Sequence, residues 1–233
     1  QQQVTAQVTE QVRQQVLGQV LNAMGYGVSL IKGEQCCGLP AIANGMSEKA
    51  RANGRHNIAA MERALRDAEC IVTTSSSCTF TMRSEYESLL RLDNSSVAES
   101  INLATKFIYQ QLKSGAAQLC FKPDFKLRVA YHSACHMERL GWTIYSIELL
   151  KMIPALELVK LESRCCGIGG TYGFKKENYD VSQSIGAPLF KQIGEVYPDV
   201  VVTDCETCKW QIEMSTPYRV MNPISIINDA ILD

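Results

Sequence analysis

The chain has 233 residues, of which 46% are hydrophobic and 20% charged, and its formal net charge at pH 7 is −1. This length allows one large domain or two small ones, and the near-neutral charge speaks against a nucleic-acid-binding protein, which usually presents a basic face. No apolar run approaches the roughly 18 residues that a membrane span needs, and the first residues do not have the basic start and apolar core of a signal peptide.

The chain contains ten cysteines. Without a secretory signal, this number favours metal or redox chemistry in a reducing compartment over structural disulfides. Cys36-Cys37 and Cys165-Cys166 are adjacent in sequence. Adjacent Cα atoms lie about 3.8 Å apart, below the roughly 4.4 Å lower limit usual for a disulfide. We therefore expect free or metal-bound thiols.

The first half of the chain alternates between helical and strand patterns. Valines recur every four residues from Val4 to Val20, which predicts a helix over residues 1–24. Ser47 is a candidate N-cap for a helix over 47–68. The other predicted elements are strands at 28–31 and 70–74, a helical stretch to about residue 90, a helix from 94 or 95 to 113, and a linker over 114–126.

The second half repeats this alternation. Pro154 ends one predicted helix and Pro223 begins another. The predicted elements are strands at 127–132, 155–161 and 200–203, and helices at 134–153, 175–194, 205–215 and after residue 223. Alternating strands and helices predict an α/β fold with mainly parallel strands and flanking helices.

An internal repeat relates the two halves. A shift of 129 residues places Cys36-Cys37-Gly38 on Cys165-Cys166-Gly167, and a shift of 130 places Cys78 on Cys208. We therefore predict two half-domains, a first repeat over residues 1–120 and a second repeat over residues 121–233.

The two repeats differ in their cysteines. The second repeat has a five-thiol set, and the first repeat has a three-thiol set because Ser75 overlays Cys205 and Ala6 overlays Cys135. The five-thiol set consists of Cys135, Cys165, Cys166, Cys205 and Cys208, and the three-thiol set consists of Cys36, Cys37 and Cys78.

Each member of the five-thiol set follows a predicted strand. Ligands gather at the carboxyl ends of strands in open α/β sheets, so these thiols should converge on one edge. Structural zinc takes four ligands, and so does a cubane [4Fe–4S] cluster. Five thiols, two of them adjacent, favour an iron–sulfur cluster that is not a plain cubane, with zinc and metal-free thiols as the alternatives.

Other residues near these cysteines indicate no separate active site. His132 and His136 flank Cys135, and we interpret each as a packing or hydrogen-bonding histidine, with proton handling near a redox site as the alternative. The full G-x-G-x-x-G loop, a P-loop and a G-x-S-x-G elbow are all missing from the sequence. We therefore expect no dehydrogenase active site on this chain.

The pattern C…CCG…C-x-x-C resembles the cysteine-rich CCG domain family, whose domain occurs twice in the B subunit of heterodisulfide reductase. The segments Cys-Cys-Gly-Ile-Gly-Gly-Thr-Tyr-Gly-Phe and Asp-Cys-Glu-Thr-Cys-Lys-Trp are similar to the C subunits of anaerobic glycerol-3-phosphate dehydrogenases. In the CCG family each complete five-cysteine set holds a noncubane [4Fe–4S] cluster. The resemblance thus implies that the five-thiol set supplies the cluster ligands.

The resemblance also implies a function in anaerobic respiration. The chain would receive electrons from flavoprotein dehydrogenase subunits and pass them to menaquinone, at the cytoplasmic side of a bacterial inner membrane and without a transmembrane helix. Such subunits carry a ferredoxin-like region of two C-x2-C-x2-C-x3-C-P runs, which this sequence does not contain.

Two other functions stay open at this point. One is a disulfide-reducing catalytic subunit like heterodisulfide reductase, and the other is a zinc-stabilised docking scaffold. The three-thiol set is equally open, because it is either a second metal site completed by a ligand from outside or a group of thiols without a metal.

Overall fold

The computed structural model describes residues 15–232, in which two parallel sheets form. The first sheet pairs β1 (Ile71–Thr73) with β2 (Ile101–Leu103). The second sheet has the order β4-β3-β5-β6, with all neighbours parallel. Its strands are β3 (Leu127–Tyr131), β4 (Leu156–Lys160), β5 (Val200–Val202) and β6 (Val220–Met221).

Helices connect and flank these strands, which confirms the predicted α/β class with mainly parallel strands. In the first repeat they are α1 (described over 15–23), α2 (Leu39–Ala43), α3 (Ser47–Ala64), α4 (Ser76–Phe80), a π-helical turn (Thr81–Glu85), α5 (Tyr86–Ser88), α6 (Ser95–Ala98) and α7 (Ala104–Ser114). In the second repeat they are α8 (Cys135–Leu140), α9 (Thr143–Leu150), the 3₁₀ turns Tyr172–Phe174 and Lys176–Asn178, α10 (Tyr179–Val196), α11 (Glu206–Ser215) and α12 (Pro223–Ala230).

Several local predictions were wrong. Residues 28–31 form no strand, and Val28 and Leu30 are 43% and 64% exposed. The helix predicted from residue 94 to 113 is interrupted by β2, and the helix predicted over 134–153 is broken at Gly141, which has φ of 69°. Ser47 lies inside α3 rather than at its N-cap. The part of the first predicted helix before residue 15 lies outside the described residues.

The apolar core joins segments from both repeats. Leu17 and Leu21 of α1 pack in one buried cluster with Val129 of β3 and Val202 of β5. A second cluster lies beside the five-thiol set and includes Cys166, Cys205 and Cys208, and a third fills the first repeat. The division at residue 120 therefore stays a prediction. No helix within residues 15–232 is long and apolar enough to cross a membrane.

Candidate metal centre

The second sheet brings the whole five-thiol set to one edge. Cys135 opens α8 just after β3, and Cys205 is the N-cap residue of α11 just after β5. Cys165 and Cys166 lie in the turn after β4. Carboxyl ends of parallel strands share one edge, so local sequence alone places these thiols together.

The five thiols form one continuous series of side-chain contacts. The Sγ atoms of Cys166 and Cys208 lie 3.3 Å apart. Cys165 contacts Cys135 on one side and Cys166 on the other, and Cys208 also contacts Cys205. Cys166, Cys205 and Cys208 are buried, whereas Cys135 and Cys165 are exposed. The series therefore runs from the interior to the protein surface.

The protons of these thiols are unequally held. Hydrogen bonds from Cys135 and Cys166 lower the pKa of Cys165 to about 2, and a hydrogen bond from Cys208 lowers the pKa of Cys205 to about 5. The same contacts raise the pKa values of the donors Cys135 and Cys208, and raise that of Cys166 to about 12. Packed thiolates repel one another, so full deprotonation of the set needs a cationic centre among the sulfurs.

Gly167 makes the turn after Cys166 possible. Its φ is +88°, and a Cβ atom at this position would lie 2.0 Å from the Ser182 carbonyl oxygen. No side chain fits there, because both the backbone conformation and the space require glycine. The turn points the Gly167 N–H at Cys165 Sγ, 3.3 Å away, where it stabilises a thiolate.

His132 is buried beside the five-thiol set without a hydrogen bond. The residue is 1% exposed, and within residues 15–232 neither Nδ1 nor Nε2 has a partner. Burial lowers the pKa of His132 to about 4, although the nearby Cys165 opposes this shift. The Oγ1 atom of Thr203 is also buried without a partner in the described part. Unpaired buried polar atoms are rare and costly, and here they border the thiols.

Asp204 fixes the loop that carries Cys205. Its carboxylate accepts hydrogen bonds from the hydroxyls of Tyr131 at 2.8 Å and of Thr105 and Ser146 at 3.1 Å. Burial raises the pKa of Asp204 to about 6, and these three hydrogen bonds oppose the shift. The network therefore holds Cys205 in a rigid position, because its neighbour is bonded to three separate elements.

The three-thiol set also comes together. Cys37 contacts both Cys36 and Cys78, and a hydrogen bond from Cys37 lowers the pKa of Cys36 to about 6. Contacts with Cys36 and Cys78, together with burial, raise the pKa of Cys37. Ala6, the position that overlays Cys135, lies outside the described residues. No group of three or more His, Cys, Asp or Glu side chains within residues 15–232 is arranged around a single metal ion.

Sequence reasoning missed a contact between the repeats. Ser77 of α4 places its Oγ atom 3.3 Å from Cys205 Sγ, and His136 Nδ1 lies 2.9 Å from the same Oγ atom. The backbone N–H of Ser76 donates to the Asp204 carbonyl at 2.8 Å. One signal was available, because the shift of 130 residues places Ser77 on Thr207, whose Oγ1 atom lies 3.4 Å from Cys205 Sγ.

A curated relative covers most of this chain. The chain is 52% identical over 212 residues to the C subunit of the anaerobic glycerol-3-phosphate dehydrogenase of Escherichia coli (strain K12), and the match covers 91% of this chain and 53% of the relative. The chain thus spans about half the length of that protein. It is also 32% identical over 197 residues to an iron-sulfur protein of Methanocaldococcus jannaschii, covering 84% of this chain and 36% of the relative.

Other comparisons cover the relative more fully. The chain is 31% identical over 219 residues to lactate utilization protein A of Geobacillus thermodenitrificans (strain NG80-2), and the match covers 89% of this chain and 88% of the relative. The family model described as the cysteine-rich domain, CCG, matches residues 4–83 and 129–213. The two matched segments fall one in each repeat, and on these matches the chain belongs to the cysteine-rich CCG domain family.

Proposed function

We propose that this chain is an electron-transfer subunit whose second repeat holds one noncubane [4Fe–4S] cluster. The observation that carries the proposal is the continuous contact of five thiols at the carboxyl ends of β3, β4 and β5. A bound iron–sulfur cluster accepts and releases electrons one at a time. The ligands would be Cys135, Cys165, Cys166, Cys205 and Cys208.

The residues present fit such a cluster. Its ligands are distributed over several iron atoms, so it does not need three side chains around one point, and no such arrangement is found within residues 15–232. Iron would take the place of the protons that Cys135, Cys166 and Cys208 otherwise hold. The Gly167 N–H donates to one ligand sulfur, and the buried His132 nitrogens border the set.

For the longer protein we propose a place in an anaerobic respiratory complex. The printed name of the Escherichia coli relative supports a flavoprotein glycerol-3-phosphate dehydrogenase as the electron donor. Menaquinone would be the acceptor, at the cytoplasmic side of a bacterial inner membrane. The exposure of Cys135 and Cys165 supports electron entry or exit at this end of the thiol series.

Metal and sulfide analysis of anaerobically purified protein tests the proposal. We expect about four iron atoms and matching acid-labile sulfide per chain. Iron and sulfide absent from a fully anaerobic sample would end the proposal, and zinc without sulfide would instead identify a docking scaffold. Rapid reduction of a small disulfide, without reaction with a menaquinone analogue, would identify a disulfide-reducing subunit.

The three-thiol set is not required for this function. Its three sulfurs contact one another, but the overlay supplies serine and alanine at the other two ligand positions. We propose that Cys36, Cys37 and Cys78 hold no second cluster in the isolated chain. A second metal site there would need a ligand from a partner, and it would raise the iron content when that partner is added.

A further inference from the structure

We propose that Ser77 of the first repeat is a positioning residue for the metal centre of the second repeat. Its hydroxyl donates a hydrogen bond to the sulfur of Cys205, and His136 fixes the direction of that bond. This inference rests on the proposed function, since it concerns a ligand of the proposed cluster.

The contact is well anchored on both sides. Ser77 is 7% exposed and lies in the first turn of α4, with its Oγ atom 3.3 Å from Cys205 Sγ. The backbone N–H of Ser76 donates to the Asp204 carbonyl at 2.8 Å. Because Ser76 and Asp204 directly precede Ser77 and Cys205, the hydroxyl and the sulfur are held together by the main chain as well.

The chemistry of the three groups allows one hydrogen-bond direction. A metal-bound thiolate carries no proton and only accepts, so Ser77 must use its single hydroxyl proton toward Cys205. His136 Nδ1, 2.9 Å from Ser77 Oγ, must then donate to that oxygen. The chain of donors therefore runs from Nδ1–H of His136 through the Ser77 hydroxyl to the sulfur.

Packing holds the His136 ring in the required orientation. The ring stacks on Phe80 of α4, with centroids 5.1 Å apart and an interplanar angle of 14°. The Arg139 guanidinium also lies over the Phe80 ring, 4.7 Å from its centroid. Helix α4 thus supplies both the hydroxyl that reaches the sulfur and the aromatic ring that orients the histidine.

A hydrogen bond to a ligand sulfur changes the redox equilibrium. The reduced cluster is one charge more negative than the oxidised cluster, so a donated hydrogen bond stabilises it more and raises the reduction potential. Thr207 offers Cys205 a second hydroxyl at 3.4 Å from within the second repeat. Cys205 would therefore be tuned by one hydroxyl from each repeat.

The test compares Ser77→Ala with Ser76→Ala in anaerobic protein. Ser76 is a matched control, because it is adjacent and fully buried, and its Oγ atom has no hydrogen-bond partner within residues 15–232. We expect full iron and sulfide in both variants. Ser77→Ala should lower the reduction equilibrium constant about three- to tenfold, where tenfold is about 59 mV for a one-electron couple. Ser77→Thr should restore it, and Ser76→Ala should leave it unchanged.

Fully loaded Ser77→Ala protein with the potential of Ser76→Ala would overturn this inference and leave the proposed function intact. Wild-type protein without iron and sulfide would overturn both. If Ser77→Ala does not load, His136→Phe decides, since phenylalanine retains the stack on Phe80 but loses the Nδ1 donor. A lowered potential in loaded His136→Phe supports the inference, and an unchanged potential overturns it. Resonance Raman bands of the iron–cysteine bonds should shift in the same variants.

Discussion

The two repeats build the same glycine turn after a cysteine pair, but they surround their sulfurs differently. Gly38 and Gly167 have φ values of +96° and +88°. A Cβ on Gly38 would meet Ala50 at 3.4 Å, an ordinary contact, whereas on Gly167 it would collide with the Ser182 carbonyl oxygen at 2.0 Å. The first turn only needs the backbone conformation, and the second turn is also packed closely from outside.

The sheets differ in the same way. The first repeat has two strands within the described residues, and the second repeat has four. A wider sheet presents more strand ends along one edge, and the five-thiol set uses three of them. The difference teaches that the cysteine pair alone does not make a ligand set. The number of strand ends that converge on the pair decides how many sulfurs can join it.

Cys166→Ser should have the largest effect on this difference. Cys166 lies in the middle of the sulfur series, in contact with Cys165 and 3.3 Å from Cys208. We expect iron and sulfide to fall from about four iron atoms per chain to near zero, with loss of the visible absorption of the cluster.

Cys120→Ser is the matched control for this loss, because Cys120 is exposed and belongs to neither thiol set. It should retain full iron. A Cys166→Ser protein with the iron content and spectrum of Cys120→Ser would show that the ligand assignment is wrong.

Alanine at the two equivalent glycines should separate the turns energetically. Gly38→Ala should cost about 1–2 kcal/mol for the left-handed backbone alone. Gly167→Ala adds about 1–3 kcal/mol for overpacking, because of the contact with Ser182. Urea unfolding of the metal-free protein measures both, and equal losses in the two variants would contradict the packing difference.

A smaller effect is expected from Asn44→Ala, which removes a contact between the repeats. The Asn44 Nδ2 atom donates to Thr171 Oγ1 at 2.8 Å and to the Pro40 carbonyl at 2.7 Å. We expect the free energy of unfolding to fall by about 1 kcal/mol. Ser88→Ala is the control, since its exposed hydroxyl bonds to the nearby Ser84 carbonyl. A loss no larger than that of Ser88→Ala would mean that this contact does not join the repeats.

Cys37→Ser should have the smallest effect on metal content. Cys37 contacts Cys36 and Cys78 of its own repeat. We therefore expect the iron and sulfide of the second repeat to stay at the wild-type value. A proportional fall in iron would reveal a second centre in the first repeat, and the comparison between the repeats would then have to be redrawn.

The sequence predicted those parts of the fold that local patterns determine. The strand predicted over 127–132 is Leu127–Tyr131, and the long helix predicted from residue 47 is Ser47–Ala64. The three-residue strand Ile101–Leu103 was missed, because it is defined by its pairing with β1 rather than by its own length. Val28 and Leu30 have a strand-like composition, but no described strand pairs with them and they are exposed.

The candidate site divides in the same way. Cys135, Cys166 and Cys208 follow strands at short distances along the chain, so their convergence could be predicted from spacing and the α/β pattern. The Ser77 hydroxyl reaches Cys205 across 128 residues. No periodicity or motif encodes such a contact, and it depends on how the two repeats pack against each other.

Helix α4 has one further consequence, which follows from two neighbouring residues. Ser77 faces Cys205, and Cys78 contacts Cys37, so a single peptide unit separates the two groups of sulfurs. A small rotation of this short helix would move one group and the other together. The repeats therefore cannot be exchanged independently, and a hybrid protein would retain its geometry only if the helix and both of its neighbours came from the same parent.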